Sequence, residues 1–175
     1  MSAFLFWLSG FLPYREISDG NVPYLERYYI GTLFGWRFYL HRFLGSDPER
    51  GLHDHPWRKA YSLILCGYYL EETRSGLRTV RRFNSLTGDT FHRVVHPGDH
   101  AAKVFGDCKA GRWCADNKKP IWTLFAHTAK DVKPWGFLQK LPVKDHPGAA
   151  VFDPYRYERE GSQKDWWLTA GRRPK

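Results

Sequence analysis

Gly51-Leu52-His53-Asp54-His55-Pro56-Trp57 sets a His-x-His pair just ahead of a long apolar run, and the rest of the chain is read from it. In a strand, residues two apart point to the same face. His53 and His55 therefore aim both imidazoles at one point, the simplest beginning of a metal site. One more imidazole from a facing strand completes three nitrogen ligands and leaves coordination positions open. His92, within Gly88-Asp89-Thr90-Phe91-His92-Arg93-Val94, is the candidate.

Downstream of the pair, Ala60 to Glu72 carries the strongest strand signal. Tyr61, Leu63 and Leu65 fall on one face and Ser62, Ile64 and Cys66 on the other, both mostly apolar, as in a strand buried on both sides. Gly67 allows a bend or bulge where a barrel needs curvature. Ser75-Gly76 reads as a hairpin turn, with Leu77 to Phe83 returning as a more charged strand. Leu86 to Asp89 turns again before Thr90 to Val95, and Ile121 to His127 and Trp135 to Leu138 supply later strands. Upstream, Trp36 to Phe43 alternates cleanly, with Arg37, Tyr39, His41 and Phe43 on one face. Tyr24 to Ile30 reads as a short helix or a first strand, and Tyr14 to Pro23 as loop.

Short strands separated by turn residues predict an all-β sandwich or barrel. The barrel is expected over residues 31–140, interrupted by a long polar loop at 96–120 that suits a lid or a binding loop. Residues 1–30 form an apolar, aromatic extension that begins with a short helical or irregular segment. Residues 141–175 form a polar C-terminal extension, packed on the barrel or partly loose, with Trp166, Trp167 and Leu168 as its tether.

A chain of 175 residues is long enough to enclose a sizeable core, and an aromatic content of 17% suits a β-architecture filled by large side chains. Lys and Arg number 27 against 18 Asp and Glu, a net charge of +9 that favours anionic ligands. The basic residues are scattered and no reading helix is recognisable, which disfavours nucleic acid. Cys66, Cys108 and Cys114 form no Cys-x-x-Cys pair, so a secreted disulfide framework is excluded and a reducing cytoplasm is expected. The apolar start, Ser2 to Leu12, stops at Pro13, short of the ~20 residues a bilayer span requires. It reads as a core-docking or amphipathic helix. No phosphate-cradling glycine loop or nucleophile elbow is present.

The pattern around the His pair resembles the cupin superfamily. Gly51 to Gly67 is similar to its first motif: a glycine, a His-x-His pair, then a hydrophobic strand ending in glycine. Gly88 and His92 approximate the looser second motif. Tyr39-Leu40-His41-Arg42-Phe43, His92-Arg93-Val94, Trp122-Thr123-Leu124-Phe125 and Trp135-Gly136-Phe137 narrow the likeness to small cupin-like proteins of phages and bacteria, which bring no assigned reaction. The resemblance implies a cupin-type β-barrel or jelly roll. It departs from the superfamily pattern at Lys59 and Ala60, where a Glu ligand usually follows the second His. Some cupins, the thiol dioxygenases among them, also lack that Glu and hold iron with three His.

Three imidazoles suit several divalent metals, with iron first and zinc, nickel or manganese as alternatives. The leading expectation is a metal-dependent, dioxygenase-like oxidoreductase acting on a small polar or anionic metabolite. The alternative is a non-catalytic binder of a nucleotide or sugar nucleotide, and a homodimer is compatible with either. Tyr61, Arg81, Arg93 and Trp122 are nominated to line the cavity and bind substrate, Arg for its fit to carboxylate or phosphate. His41, Asp54 and His96 are nominated to support the ligands from behind. A rival set, His96, His100, Cys108 and Cys114, has the residue types of a structural zinc site without its tight Cys-x-x-Cys spacing.

Overall fold

The computed structural model describes residues 1–105, 118–143, 150–155 and 165–174. Helix α1 (Ser2–Ser9) leads into β1 (Tyr14–Asp19), β2 (Val22–Leu33), β3 (Trp36–Phe43), β4 (Leu52–His53) and β5 (Lys59–Cys66). Then follow β6 (Tyr69–Thr73), β7 (Gly76–Val80), β8 (Phe83–Thr87), β9 (His92–Val95) and helix α2 (Pro97–Phe105). The chain closes with β10 (Ile121–Thr128), β11 (Phe137–Pro142), β12 (Ala150–Tyr155) and a 3-10 turn at Trp166–Leu168.

These strands form two antiparallel six-stranded sheets, ordered β1-β2-β3-β10-β5-β8 and β12-β11-β4-β9-β6-β7. Their inner faces meet. One core cluster joins Tyr24, Leu25, Phe43 and Ile121 of the first sheet to Tyr69, Val80 and Val94 of the second. A second cluster, Tyr39, Trp57, Ala60, Leu86, Phe125 and Trp166, fills another part of the interior. The third lies outside the first sheet, where α1 sets Leu5 over Tyr28, Leu40 and Trp122.

The run expected as one strand from Ala60 to Glu72 is two strands in different sheets. β5 belongs to the first sheet and β6 to the second, and the chain crosses between them at Gly67, whose φ of 83° an L side chain adopts only with strain. Tyr14 to Pro23 is a hairpin arm rather than loop: β1 pairs with β2 from Tyr14↔Tyr28 to Asp19↔Val22. It lies at a sheet edge, which accounts for its polar sequence. Strand pairing therefore continues beyond both expected barrel boundaries, through β1 and β2 at one end and β11 and β12 at the other.

The loop expected at 96–120 begins as helix α2. Pro97 occupies its first position, where a missing N–H costs nothing. The His96 ring caps it, with the Gly98 N–H donating to Nδ1 at 3.2 Å while Nε2 donates to the Lys119 carbonyl at 3.2 Å. Asp99, in the first turn, accepts from the Ser46 N–H and hydroxyl, each at 2.8 Å. No helix among the described residues is long and apolar enough to cross a membrane.

Candidate metal centre

His53 ends β4 and pairs directly with His92 at the start of β9, while His55 lies two residues past β4. The three rings converge, with centroid separations of 5.1 Å for His53–His55, 5.2 Å for His53–His92 and 5.1 Å for His55–His92. One ring nitrogen from each lies within 4.8 Å of the others. The His55 and His92 Nε2 atoms are 2.8 Å apart. Two ligands bound at about 2.1 Å and at right angles to one another stand about 3 Å apart, so the spacing fits a shared cation. His53 is half-buried and the other two are buried.

Behind His92 lies a buried polar relay. Its Nδ1 is 2.8 Å from Glu71 Oε1, and Glu71 has no exposed surface. Asn84 donates to the same oxygen at 2.6 Å, and Arg78 Nε donates to the other at 2.7 Å. Asn84 is itself placed by Arg78, at 2.6 Å to its carbonyl, and by the Tyr69 hydroxyl at 3.0 Å. Burial pushes the Glu71 carboxyl up. The bonds and charges of His92, Asn84 and Arg78 outweigh it and hold the group below the usual carboxylate value. An ionised Glu71 accepts the Nδ1 proton of His92, which leaves the Nε2 lone pair facing the other rings.

His55 lies flat on Trp57, whose indole is sandwiched between two imidazoles. Trp57 stacks on it at 4.1 Å and 12°, and His127 stacks against the same indole at 4.2 Å and 21°. Burial, then the charges of His53 and His92, push the His55 imidazole well below its ordinary pKa and keep it neutral, as a ligand must be. Its Nδ1 is buried without a hydrogen-bond partner, so the ring is placed by stacking.

Trp135 closes the remaining side, 5.0 Å from His55 and 5.9 Å from His53. Asp54 holds it there. The Gly136 N–H donates to Asp54 Oδ1 at 2.5 Å, the Asp54 N–H donates to the Gly136 carbonyl at 3.0 Å, and Lys133 pairs with the same carboxylate. A Cβ at Gly136 would lie 2.8 Å from Asp54 Oδ2, so only glycine fits that approach.

The residues nominated for substrate do not gather at the imidazoles. Tyr61 stacks between Trp36 and Phe83, on the same strand face as exposed Lys59 and Leu63. Arg81 is exposed and lies over the Tyr68 ring, 4.8 Å from its centroid. Arg93 is buried but alternates with His92 along β9 and is bound to Glu72 at 2.9 Å. Trp122 is fully buried under α1, and its indole N–H donates to the Ser2 hydroxyl at 3.0 Å.

Of the three supporting nominees, Asp54 acts through Gly136 and Lys133, and His96 caps α2. His41 stacks on Phe125 at 4.8 Å and accepts from Arg27 Nε at 3.1 Å. In the rival zinc set, His100 sits in α2, while Cys108 and Cys114 lie outside the described residues. The sequence reading missed Glu71, Arg78, Asn84 and Trp135. Glu71-Glu72 inside a short strand was the available signal, since adjacent acids must send one carboxylate inward.

No family model matches the chain, and no curated protein does. Among solved structures it is similar to a cupin-like protein from Thermotoga maritima, at 12% identity over 74% of this chain and 87% of that one, with a TM-score of 0.48. It is also similar to a cupin-2 domain protein from Rhodospirillum rubrum, at 13% identity over 76% of each chain and a TM-score of 0.48. A third is the iron(II) form of HppE, at 9% identity over 67% of this chain and 56% of that one, with a TM-score of 0.46. The chain itself is a sandwich of two antiparallel sheets, with three histidines gathered where a metal can be held.

Proposed function

We propose that this protein is a metal-dependent, dioxygenase-like oxidoreductase that holds a divalent metal, iron first, on His53, His55 and His92. Its substrate is a small polar or anionic metabolite, and it works in a reducing cytoplasm of phage or bacterial origin. The observation that carries the reading is the His55–His92 nitrogen pair at 2.8 Å, backed by Glu71 on the far side of His92. The exposed Lys59 and small Ala60 offer no carboxylate beside the pair, so the three rings are the donor set.

Bound there with open positions, iron would supply a site where dioxygen and substrate meet. The chain's own residues do the rest. Glu71 keeps the His92 proton on Nδ1. Trp57 and Trp135 pack on His55 from its face and its edge and fix its plane. A cleft of about 450 Å³ opens at the β6–β7 turn, lined by Thr73, Arg74, Arg78, Asp89, Thr90 and Phe91. Thr73 is the direct strand neighbour of His92, and the Arg78 side chain, 55% exposed, reaches from this cleft to buried Glu71. With Arg78 already held by Glu71 and Asn84, the Arg74 guanidinium is the group there suited to a carboxylate or phosphate on the substrate.

Elemental analysis of protein purified without chelator is the test. One divalent ion per chain is expected, falling below a tenth of that in His53→Ala and His92→Ala. A metal-free protein that neither variant alters would refute the reading. The cleft also favours a second one, a non-catalytic binder of a nucleotide or sugar nucleotide. In that case phosphate ligands raise the melting temperature and metal removal leaves the shift intact.

A further inference from the structure

Helix α1 is apolar on every side, yet only one side is covered. Leu5 and Ser9 are buried against the first sheet, with Phe6 and Leu12 packed beside them. On the opposite side Phe4, Trp7 and Leu8 recur at the three- and four-residue spacing that makes one helical stripe, and Phe11 in the turn just past the helix extends it. They are 56%, 60%, 38% and 52% exposed, and Met1 at the tip is 79% exposed. The aromatic rings touch one another, Phe4–Trp7 at 6.0 Å and Trp7–Phe11 at 5.1 Å, so the patch is continuous. A helix that is hydrophobic all round is normally enclosed, and this one is half in water.

We propose that α1 is a membrane-docking element that lays its aromatic stripe into the interface of an anionic lipid bilayer. Two observations favour lipid over a second copy of the chain. The first is charge: residues 1–14 contain no acidic or basic side chain, and basic groups ring the base of the helix. Arg173 stands 3.5 Å from the Phe6 centroid and exposed Arg172 bridges to Pro13 where the helix exits, while Arg42, 4.7 Å from the same ring, is already paired with Glu26 at 3.0 Å. With a net charge of +9, a second copy is repelled and an anionic headgroup layer attracted.

The second observation is size. Three aromatic side chains of about 200 Å² each, a little over half exposed, with Met1 and Leu8 make a patch of about 500 Å². A stable protein interface needs about 800 Å² per partner. An interfacial helix needs only an apolar face that sinks about 5–10 Å into the headgroup boundary, flanked by cationic groups. Trp and Phe are side chains suited to that depth. This inference does not depend on the metal reading, since α1 lies outside the first sheet.

The test is co-sedimentation of the full chain with vesicles of phosphatidylcholine alone and of equal parts phosphatidylcholine and phosphatidylglycerol. Binding to the anionic vesicles is expected, several-fold weaker on the neutral ones and weaker again when salt rises from about 0.1 M to about 1 M. A Phe4→Ser/Trp7→Ser double variant should lose about tenfold in partitioning while keeping its metal content and melting temperature. Trp7→Phe guards against a folding artefact. It should still bind, and it should lose the part of the fluorescence that brominated lipids quench in the wild type. No wild-type binding, or equal binding by the double variant, overturns the proposal. So does self-association that the double variant abolishes, which would assign the stripe to a second copy.

Discussion

Glu71 is the residue on which the site's chemistry turns, because its carboxylate settles which nitrogen of His92 carries the proton. Glu71→Gln preserves the shape and removes the charge. It should weaken metal affinity about 10- to 100-fold in a chelator competition while the fold persists. His127 sets a different dependence. Burial holds its folded pKa down to about 3, against 6.5 for the free side chain. Above pH 6.5 both states are neutral and stability is complete. Below it the unfolded chain takes up a proton that the folded one refuses, so stability falls as pH drops from 6.5 towards 3. The slope is about 1.4 kcal/mol per pH unit for each such histidine. His41, also pushed well down by burial, adds in the same direction. Urea titrations at pH 7 and pH 5 should show the loss, and His127→Phe should reduce it by one proton's share. His53, His55 and His92 were nominated from spacing, yet only His53 and His92 lie in strands; His55, two residues past β4, reaches the same point from a loop. The placement of Tyr61 and Arg81 was not legible, since alternation shows which residues share a face and not which face looks inward.

At the scale of elements, the two-residue period was reliable within a strand and failed where the chain changed sheets. Trp36–Phe43 was legible as a strand with its bounds intact. Across Gly67, reading one strand through to Glu72 carried the wrong parity beyond the bend and left Glu71 unplaced. Helix α2 was hidden for another reason: Pro97-Gly98 reads as a breaker, and its cap is a histidine ring rather than Ser, Thr, Asp or Asn. The β10–β11 connection was legible only as a loop, because the contact that shapes it joins Asp54 to Gly136 across 82 residues. Gly136→Ala puts a methyl into that carboxylate. It should cost about 1–3 kcal/mol in thermal unfolding and loosen Trp135, so Trp135 should become more accessible to an aqueous fluorescence quencher.

At the scale of the whole molecule, two of the three residues expected to tether the C-terminal tail pack on the first sheet, whereas Leu168 is 77% exposed. Trp166 is buried among Tyr39, Trp57, Ala60, Leu86 and Phe125, and Trp167 stacks on Tyr29 at 4.4 Å. Trp166→Ala should lower unfolding stability by about 3–5 kcal/mol. Because Trp57 lies in the same cluster and stacks on His55, the variant should also weaken metal retention, read from the same chelator competition. The nominated ligands and Glu71 arrive on the second sheet or the loop just past β4, whereas Arg27, Tyr39, His41 and Phe125 line the first. The proposed ligands and the cleft therefore share one wall, and the aromatic and cationic side chains that face them come from the other. A descendant of such a chain could redraw the facing wall without moving a single proposed ligand.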